Sequence, residues 1–443
     1  MHQVLTRELV LAGPCNHGCS TLRTPPGSES VGKVRLHRAS ISVNFTRSCA
    51  LTEAENTIAA NRACNVCGSS FDRPIYRSQG PNSITSLCHL YPGSGEVFFC
   101  KFCGHIQTAE ITGIAAYYDR EYRILIDSEE EDQLYEVGEK GIVYRSDHQV
   151  RTLLSKLSLP PGTRLLDYGC AKAATLRKLV NIRSDLVPHV FDVSRMYIPF
   201  WAKFVSTENW AIYDIPSRWD GYFDVVTTFF ALEHVADPTA SVRNMSRLLK
   251  PGGILYGIVP NVFTNWADFV VVDHVNHFST SSLKSILTRA GLETLELDEH
   301  SHTGAFVFRA RRTENSTALP ITGDRVLPFE KDVLKISEYW QGLGSRIRSF
   351  EAALPKDSQV AIYGSGFYGT FIASSLKHLA QVTCFLDRNP FRQGKQLLGK
   401  PIIAPEELSQ DCDAIYVGIN PMGAQQSIAD LGWDMRKYQF LFL

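Results

Sequence analysis

Four cysteines in two matched pairs are the clearest chemical signal in this chain of 443 residues. Cys64-Asn65-Val66-Cys67-Gly68 and Cys100-Lys101-Phe102-Cys103-Gly104 repeat one C-x-x-C-G pattern, with 32 residues between Cys67 and Cys100. Each unit can turn tightly and point two sulfurs at one ion, the glycine supplying the unusual backbone angle after the second cysteine. The spacing predicts one zinc ion held tetrahedrally by Cys64, Cys67, Cys100 and Cys103. Four thiolates leave no open coordination position, so such an ion is structural. Two vicinal redox-active disulfides, or incidental thiols, are the competing reading. Cys15 and Cys19 lack partners at metal-binding spacing and read as part of an unliganded tail.

A second signal begins at Leu165-Leu166, an apolar strand that ends in Asp167 and passes through Tyr168-Gly169-Cys170-Ala171-Lys172-Ala173 into a helix. Open α/β sheets bind ligands beyond the carboxyl ends of their strands, where small residues let the backbone approach closely. The next apolar strand, Val187 to Val193, carries Asp192, 25 residues after Asp167. That acid is placed to take two ribose hydroxyls, so the expected ligand contains a nucleoside. Tyr213-Asp214 can hold an adenine edge. Phe223-Asp224-Val225-Val226 starts a strand leading to Leu232-Glu233-His234, and Leu248-Leu249-Lys250-Pro251-Gly252-Gly253 turns into the strand Ile254 to Val259.

This order of segments resembles a class I S-adenosylmethionine-dependent methyltransferase over roughly Gln149 to Arg312. The resemblance implies a Rossmann-like core that binds S-adenosylmethionine through Asp167, Tyr168, Gly169, Ala171, Asp192, Val193, Asp214 and Phe230. One departure stands out: Gly169, Ala171 and Ala173 occupy the places where the family usually has G-x-G-x-G. Alanine preserves close packing but resists positive φ.

The elements that must position these groups follow from length and pattern. The chain is long enough for two to four domains. Apolar residues at 44% and charged residues at 21% are ordinary for a globular protein. A formal charge of −1 provides no field to attract nucleic acid or an anionic membrane, so neither is an expected partner. No apolar run is long enough to cross a bilayer and Leu9 to Gly13 is too short for a signal core, which makes a cytoplasmic location the expectation.

Residues 1–60 read as a tail, 61–110 as the zinc module and 111–148 as a helical connector. The connector holds Tyr117, Tyr118, Tyr122 and Tyr135 and the acidic run Glu129 to Asp132, which reads as a solvated face. Its tyrosines either pack or line a substrate pocket, with Tyr118 the candidate contact. The methyltransferase core spans 149–312, a linker and helix 313–355, and a small Rossmann-like unit 356–443. In that unit Val360 to Tyr363 runs into Gly364-Ser365-Gly366-Phe367-Tyr368-Gly369, and the strand Val382 to Leu386 ends at Asp387. That is a dinucleotide fingerprint on about half of a dinucleotide-binding domain. Three readings of Gly364 and Gly366 stay open: an NAD site, a site for a diphosphate of the substrate, and a turn without ligand.

A zinc module, a methyltransferase core and a small Rossmann-like C-terminal unit, in that order, resemble the sugar C-methyltransferases that act on nucleotide-linked deoxyketosugars. That family carries a histidine base after the fifth core strand in a pattern like Y-x-E-H-x-x-Y-F-S. Here the stretch is Val271-Val272-Asp273-His274-Val275-Asn276-His277-Phe278-Ser279, in which His274, Phe278 and Ser279 match. The resemblance implies His274 as base, Asp273 in place of the glutamate as its orienting or substrate-binding neighbour, and His277 as the reserve candidate. A carbon beside a ketone becomes nucleophilic only as an enolate, and histidine is suited to remove that proton near neutral pH. The same polar stretch can be a hydrogen-bonded turn closing the core. Methylation of sugar oxygen or nitrogen, a non-catalytic assembly protein and a bifunctional NAD enzyme remain alternatives.

Overall fold

The computed structural model describes residues 63–111, 113, 117–138, 141–314 and 327–443, so the expected tail at 1–60 lies outside the described residues. The N-terminal part holds β1 (Tyr76–Arg77), β2 (Asn82–Ile84), β3 (Leu90–Pro92), β4 (Glu96–Phe99), β5 (Ile106–Thr108) and the hairpin β6 (Leu134–Gly138) with β7 (Gly141–Tyr144). The core adds β8 (Arg164–Tyr168), β9 (Val187–Asp192), β10 (Trp210–Ile212), β11 (Phe223–Phe229), β12 (Leu249–Pro260), β13 (Asn276–His277), β14 (Leu292–Asp298) and β15 (Ala305–Arg312). The C-terminal part holds β16 (Val360–Tyr363), β17 (Val382–Leu386), β18 (Gln396–Leu397), β19 (Lys400–Ile403), β20 (Ala414–Val417) and β21 (Gln439–Phe442).

The core sheet has the order β10-β9-β8-β11-β12-β15-β14. Its first five strands run parallel, and β15 is inserted antiparallel between β12 and β14. Strand order reverses between β8 and β11, which makes the crevice above them the switch point where such sheets bind ligands. Alternation along the strands assigns the two faces. Leu165 and Val225 pack with Val150, Leu153, Leu176 and Leu179 of the helices Arg145–Lys156 and Ala174–Ile182. Leu166 and Val226 point the other way, onto Val242, Met245, Leu283 and Ile286 of Pro238–Leu248 and Thr280–Arg289. Burial on both faces is why these strands read as nearly continuous apolar runs.

The second large sheet, β18-β19-β17-β16-β20-β21, is parallel except for the β18–β19 edge pair. The helix Leu327–Ala353 packs Val333, Ile336, Trp340 and Leu343 in one apolar cluster with Val360 and Ile362 of β16, and with Val97, Phe99 and Ile106 from the N-terminal sheet. That N-terminal sheet, β1-β4-β5-β13, takes its last strand from the core, because Asn276 and His277 pair with Gln107 and Ile106.

The 111–148 segment departs from the helical expectation. It contains a five-residue π turn, Tyr117–Glu121, then the β6–β7 hairpin, and the helix starts only at Arg145. Tyr135, Val137, Ile142, Val143 and Tyr144 are β-branched or aromatic residues on the two sides of the paired Gly138 and Gly141, which favours strands over a helix. The acidic run is also partly interior. Glu131 and Asp132 are buried, paired with Lys395 at 2.7 Å and Lys178 at 3.3 Å. Among the described residues no helix is long and apolar enough to cross a membrane.

Candidate active site

At the switch point lies a cavity of about 1400 Å³. All eight residues expected to contact the cofactor line it: Asp167, Tyr168, Gly169, Ala171, Asp192, Val193, Asp214 and Phe230. The β8–β11 register sets Asp167 opposite Thr227, whose hydroxyl donates to Asp167 Oδ1 at 3.0 Å, while burial pushes the Asp167 pKa up to about 7. Asp192 accepts from the amides of Ala171 at 2.7 Å and Ser194 at 3.1 Å, tying the loop after β8 to the end of β9. Burial raises its pKa to about 6 against those two hydrogen bonds.

Gly169 sits at φ +70°, and a Cβ there would stand 2.7 Å from the Ala231 Cβ, so the loop passes where only glycine fits. Ala171 and Ala173 nevertheless adopt φ of +46° and +55°. Of the seven non-glycine residues at positive φ among those described, Cys88, Leu125, Ala171, Tyr213 and Phe230 all line the cavity. Concentrated strain of this kind marks a functional site. An open loop, a carboxylate at the ribose position and ample volume fit S-adenosylmethionine.

The opposite wall carries the histidines. His274 lines the cavity and directs Nδ1 to Asp268 Oδ1 at 2.5 Å, which leaves Nε2 without a hydrogen-bond partner among the described residues. Burial opposes charging His274, but the Asp268 charge and hydrogen bond outweigh it and push the pKa up to about 9. Asp268 itself is held well below the usual carboxylate range by His274 and His277, against the opposing effect of burial. His234 stands edge-on to His274 with ring centres 4.5 Å apart, and the Tyr118 hydroxyl lies 2.7 Å from both His234 Nδ1 and the Asp273 carbonyl. Burial lowers the His234 pKa to about 3 and raises that of Glu233 to about 8, so both are neutral at pH 7.

Three expected site residues take other positions. Asp273 is fully buried and turns from the cavity, its carboxylate accepting from the Ser86 amide and hydroxyl at 2.7 Å each. His277 is buried with both ring nitrogens engaged, Nδ1 with Asp268 at 2.7 Å and Nε2 with Thr108 at 2.8 Å. Neither can meet a substrate. Gly364, at φ +100°, serves packing, since a Cβ there would lie 2.3 Å from the Gly418 carbonyl oxygen. Gly366 and Tyr118 do line the cavity, together with Asp387, Asn389 and Arg392. Asp387 repeats the device of Asp192, accepting from the amides of Ser365 at 3.1 Å and Asn389 at 2.9 Å.

Two lining residues went unread in the sequence. Asp268 precedes His274 by six positions and sits in the short helical turn Trp266–Val270, so no single strand or helix relates the two residues. Arg145 opens a helix, stacks its guanidinium 4.8 Å from the Phe230 ring centre, and has no hydrogen-bond acceptor for that group among the described residues.

The cysteines form a separate cluster. Gly68 and Gly104 donate to the carbonyls of Cys64 and Cys100 at 2.8 Å each, making two equivalent turns. Across them, Cys64 and Cys103 sulfurs are 3.5 Å apart and those of Cys67 and Cys100 3.4 Å apart. That is too long for a disulfide and near the edge of about 3.8 Å expected for four sulfurs around zinc. The donor set fits zinc.

Sheet order and switch-point cavity define an open, Rossmann-like α/β domain. Residues 143–297 match the family described as a methyltransferase domain, and the chain thus carries a class I S-adenosylmethionine-dependent methyltransferase domain. It is 35% identical over 100 residues to the ubiquinone biosynthesis O-methyltransferase of Xanthomonas oryzae pv. oryzae, which covers 21% of this chain and 42% of that protein. The Xanthomonas campestris counterpart gives 34% over 101 residues, 22% of this chain and 42% of that protein. The chain thus spans less than half the length of the curated relatives it matches. Similar solved structures include an S-adenosylmethionine-dependent methyltransferase from Mesorhizobium loti, at 15% identity, TM-score 0.31, and coverage of 37% of this chain and 98% of that one. The CurJ carbon methyltransferase gives 17% identity, TM-score 0.32, and coverage of 38% and 55%.

Proposed function

We propose that this protein methylates, from S-adenosylmethionine, the carbon beside the ketone of a nucleotide-linked ketosugar, with His274 as the base. The observation that carries this reading is the His274–Asp268 pair opening on a cavity shared by the cofactor loop and the C-terminal loop at Gly366. When bound, the cofactor supplies a methyl group on a positively charged sulfur. Gly169 leaves it room, Asp192 takes its ribose, Asp214 its adenine, and Arg145 is the cation available for its carboxylate. His274 Nε2 removes the proton beside the ketone, leaving the electron pair as an enolate. The enolate carbon would take up the methyl group of the bound cofactor, with the neutral thioether as the leaving group, and Asp192, Asp214 and Arg145 would hold that cofactor in place. Holding both partners in line supplies much of the acceleration.

The C-terminal sheet acts in this reading as a small Rossmann-like unit. The amides opening the helix Phe367–Ser375 and the Arg392 cation suit a substrate diphosphate. Cys64, Cys67, Cys100 and Cys103 hold one structural zinc ion.

The test is product mass spectrometry with a panel of nucleotide-linked ketosugars, together with exchange of the substrate's α-hydrogen in heavy water. His274→Ala should bind S-adenosylmethionine yet lose both methylation and exchange. Retained methylation removes His274 from the reaction. A second reading, O-methylation assisted by a divalent cation, is favoured by Glu233, His234 and His274, whose ligand atoms lie within 4.8 Å of one another, and by the O-methyltransferases among the relatives. Turnover that survives removal of every metal except the cysteine-bound zinc excludes it.

A further inference from the structure

The cysteine module touches the active site through a small number of hydrogen bonds. Its last strand, β5, ends at Thr108, whose Oγ1 lies 2.8 Å from His277 Nε2. His277 Nδ1 lies 2.7 Å from Asp268 Oδ2, and Asp268 Oδ1 receives His274 Nδ1 at 2.5 Å. Directions follow from donor chemistry. The Asp268 carboxylate only accepts, so both histidines donate through Nδ1–H. With Nδ1–H given to Asp268, a lone pair on His277 Nε2 is the matching acceptor for the Thr108 hydroxyl at 2.8 Å. The chain Thr108, His277, Asp268, His274 is therefore polarised in one sense and leaves His274 Nε2 directed to the cavity.

A second tie runs beside the first. Buried Asn276 accepts on Oδ1 from Asn65 Nδ2 at 3.0 Å and from His105 Nε2 at 3.2 Å, both residues of the two cysteine turns. Its Nδ2 donates to the carbonyls of Leu232 at 3.1 Å and Val235 at 2.6 Å, clamping the turn that carries Glu233 and His234. Neither tie touches the cofactor loop after β8.

We infer that Thr108 is a positioning residue for methyl transfer, fixing the tautomer of His277 and through Asp268 the orientation of His274, so that the four-cysteine module forms part of the active-site wall. This rests on the assignment of His274 as base. Thr108→Val keeps the shape and removes the hydroxyl, whereas Thr108→Ser keeps the hydroxyl. At metal centres, loss of the hydrogen bond that orients a ligating histidine lowers activity about 10- to 100-fold, and the same scale is expected for this relay. The expected result is a kcat loss of that size in Thr108→Val with unchanged affinity for S-adenosylmethionine, and near-normal kcat in Thr108→Ser.

Nitrogen NMR of histidine-labelled protein supplies a readout independent of turnover. His277 should carry its proton on Nδ1 in the native chain and in Thr108→Ser, and lose that single tautomer in Thr108→Val. Wild-type kcat in Thr108→Val, equal loss in both variants, or cofactor affinity falling with kcat would each overturn the inference. If instead His274→Ala keeps turnover while the His277 tautomer behaves as stated, the base assignment fails and the relay itself stands.

Discussion

His274 and Asp268 are joined at 2.5 Å beneath the cavity, and the pair is charged at neutral pH because the carboxylate outweighs the burial of the imidazole. A base must first lose its proton. With the His274 pKa at about 9, kcat/KM should climb with pH until about 9 and then level off. Asp268→Asn removes the stabilising charge, and the rising limb of the profile should move about 1 to 3 pH units lower. An unmoved limb would assign it to another group. The pair also stabilises the fold below the ordinary histidine pKa of 6.5, and that contribution fades as pH rises through about 9.

Asp192 carries a double duty, since it holds the amides of Ala171 and Ser194 and is expected to take the ribose. Asp192→Ala should weaken S-adenosylmethionine binding by on the order of 1.5–3 kcal/mol, about ten- to a hundredfold, measured by calorimetry. Because ribose hydroxyls donate to the ionised carboxylate, affinity in the native chain should fall as pH drops through about 6. Affinity unchanged in the variant would move the cofactor elsewhere.

Metal content is directly countable. Freshly purified protein should carry about one zinc per chain, and Cys100→Ser should lower that content and the melting temperature together, since binding of structural zinc is coupled to folding. Metal-free protein with the same melting behaviour would remove zinc from the cluster.

A Cβ on Gly366 would meet no atom within 4 Å, so Gly366→Val starts its side chain in open space. The added side chain should obstruct the diphosphate position, raising KM for a nucleotide-linked sugar about tenfold or more while S-adenosylmethionine affinity holds. An equal effect on the free sugar would show that the loop only supports the fold.

Local chemistry was legible from spacing. The two C-x-x-C-G turns, the loop after Leu166, the acids Asp192 and Asp387 at strand ends, and the apolar strands of both sheets all express constraints that act within a few residues. The eight expected cofactor contacts lie on one cavity because strand order carries each strand end to the switch point. Tertiary structure alone decided which polar groups face that cavity. Asp273, His274 and His277 are neighbours in sequence, yet Ser86 claims the first and Thr108 the last, partners 187 and 169 positions away. Desolvation explains the sorting: a buried polar group must find a hydrogen-bond partner wherever the fold supplies one, and a group that keeps a free donor or acceptor atom on the cavity, as His274 does at Nε2, can serve a ligand. Asp268 gained its role in the same way, as the acceptor that folding brought between two histidines.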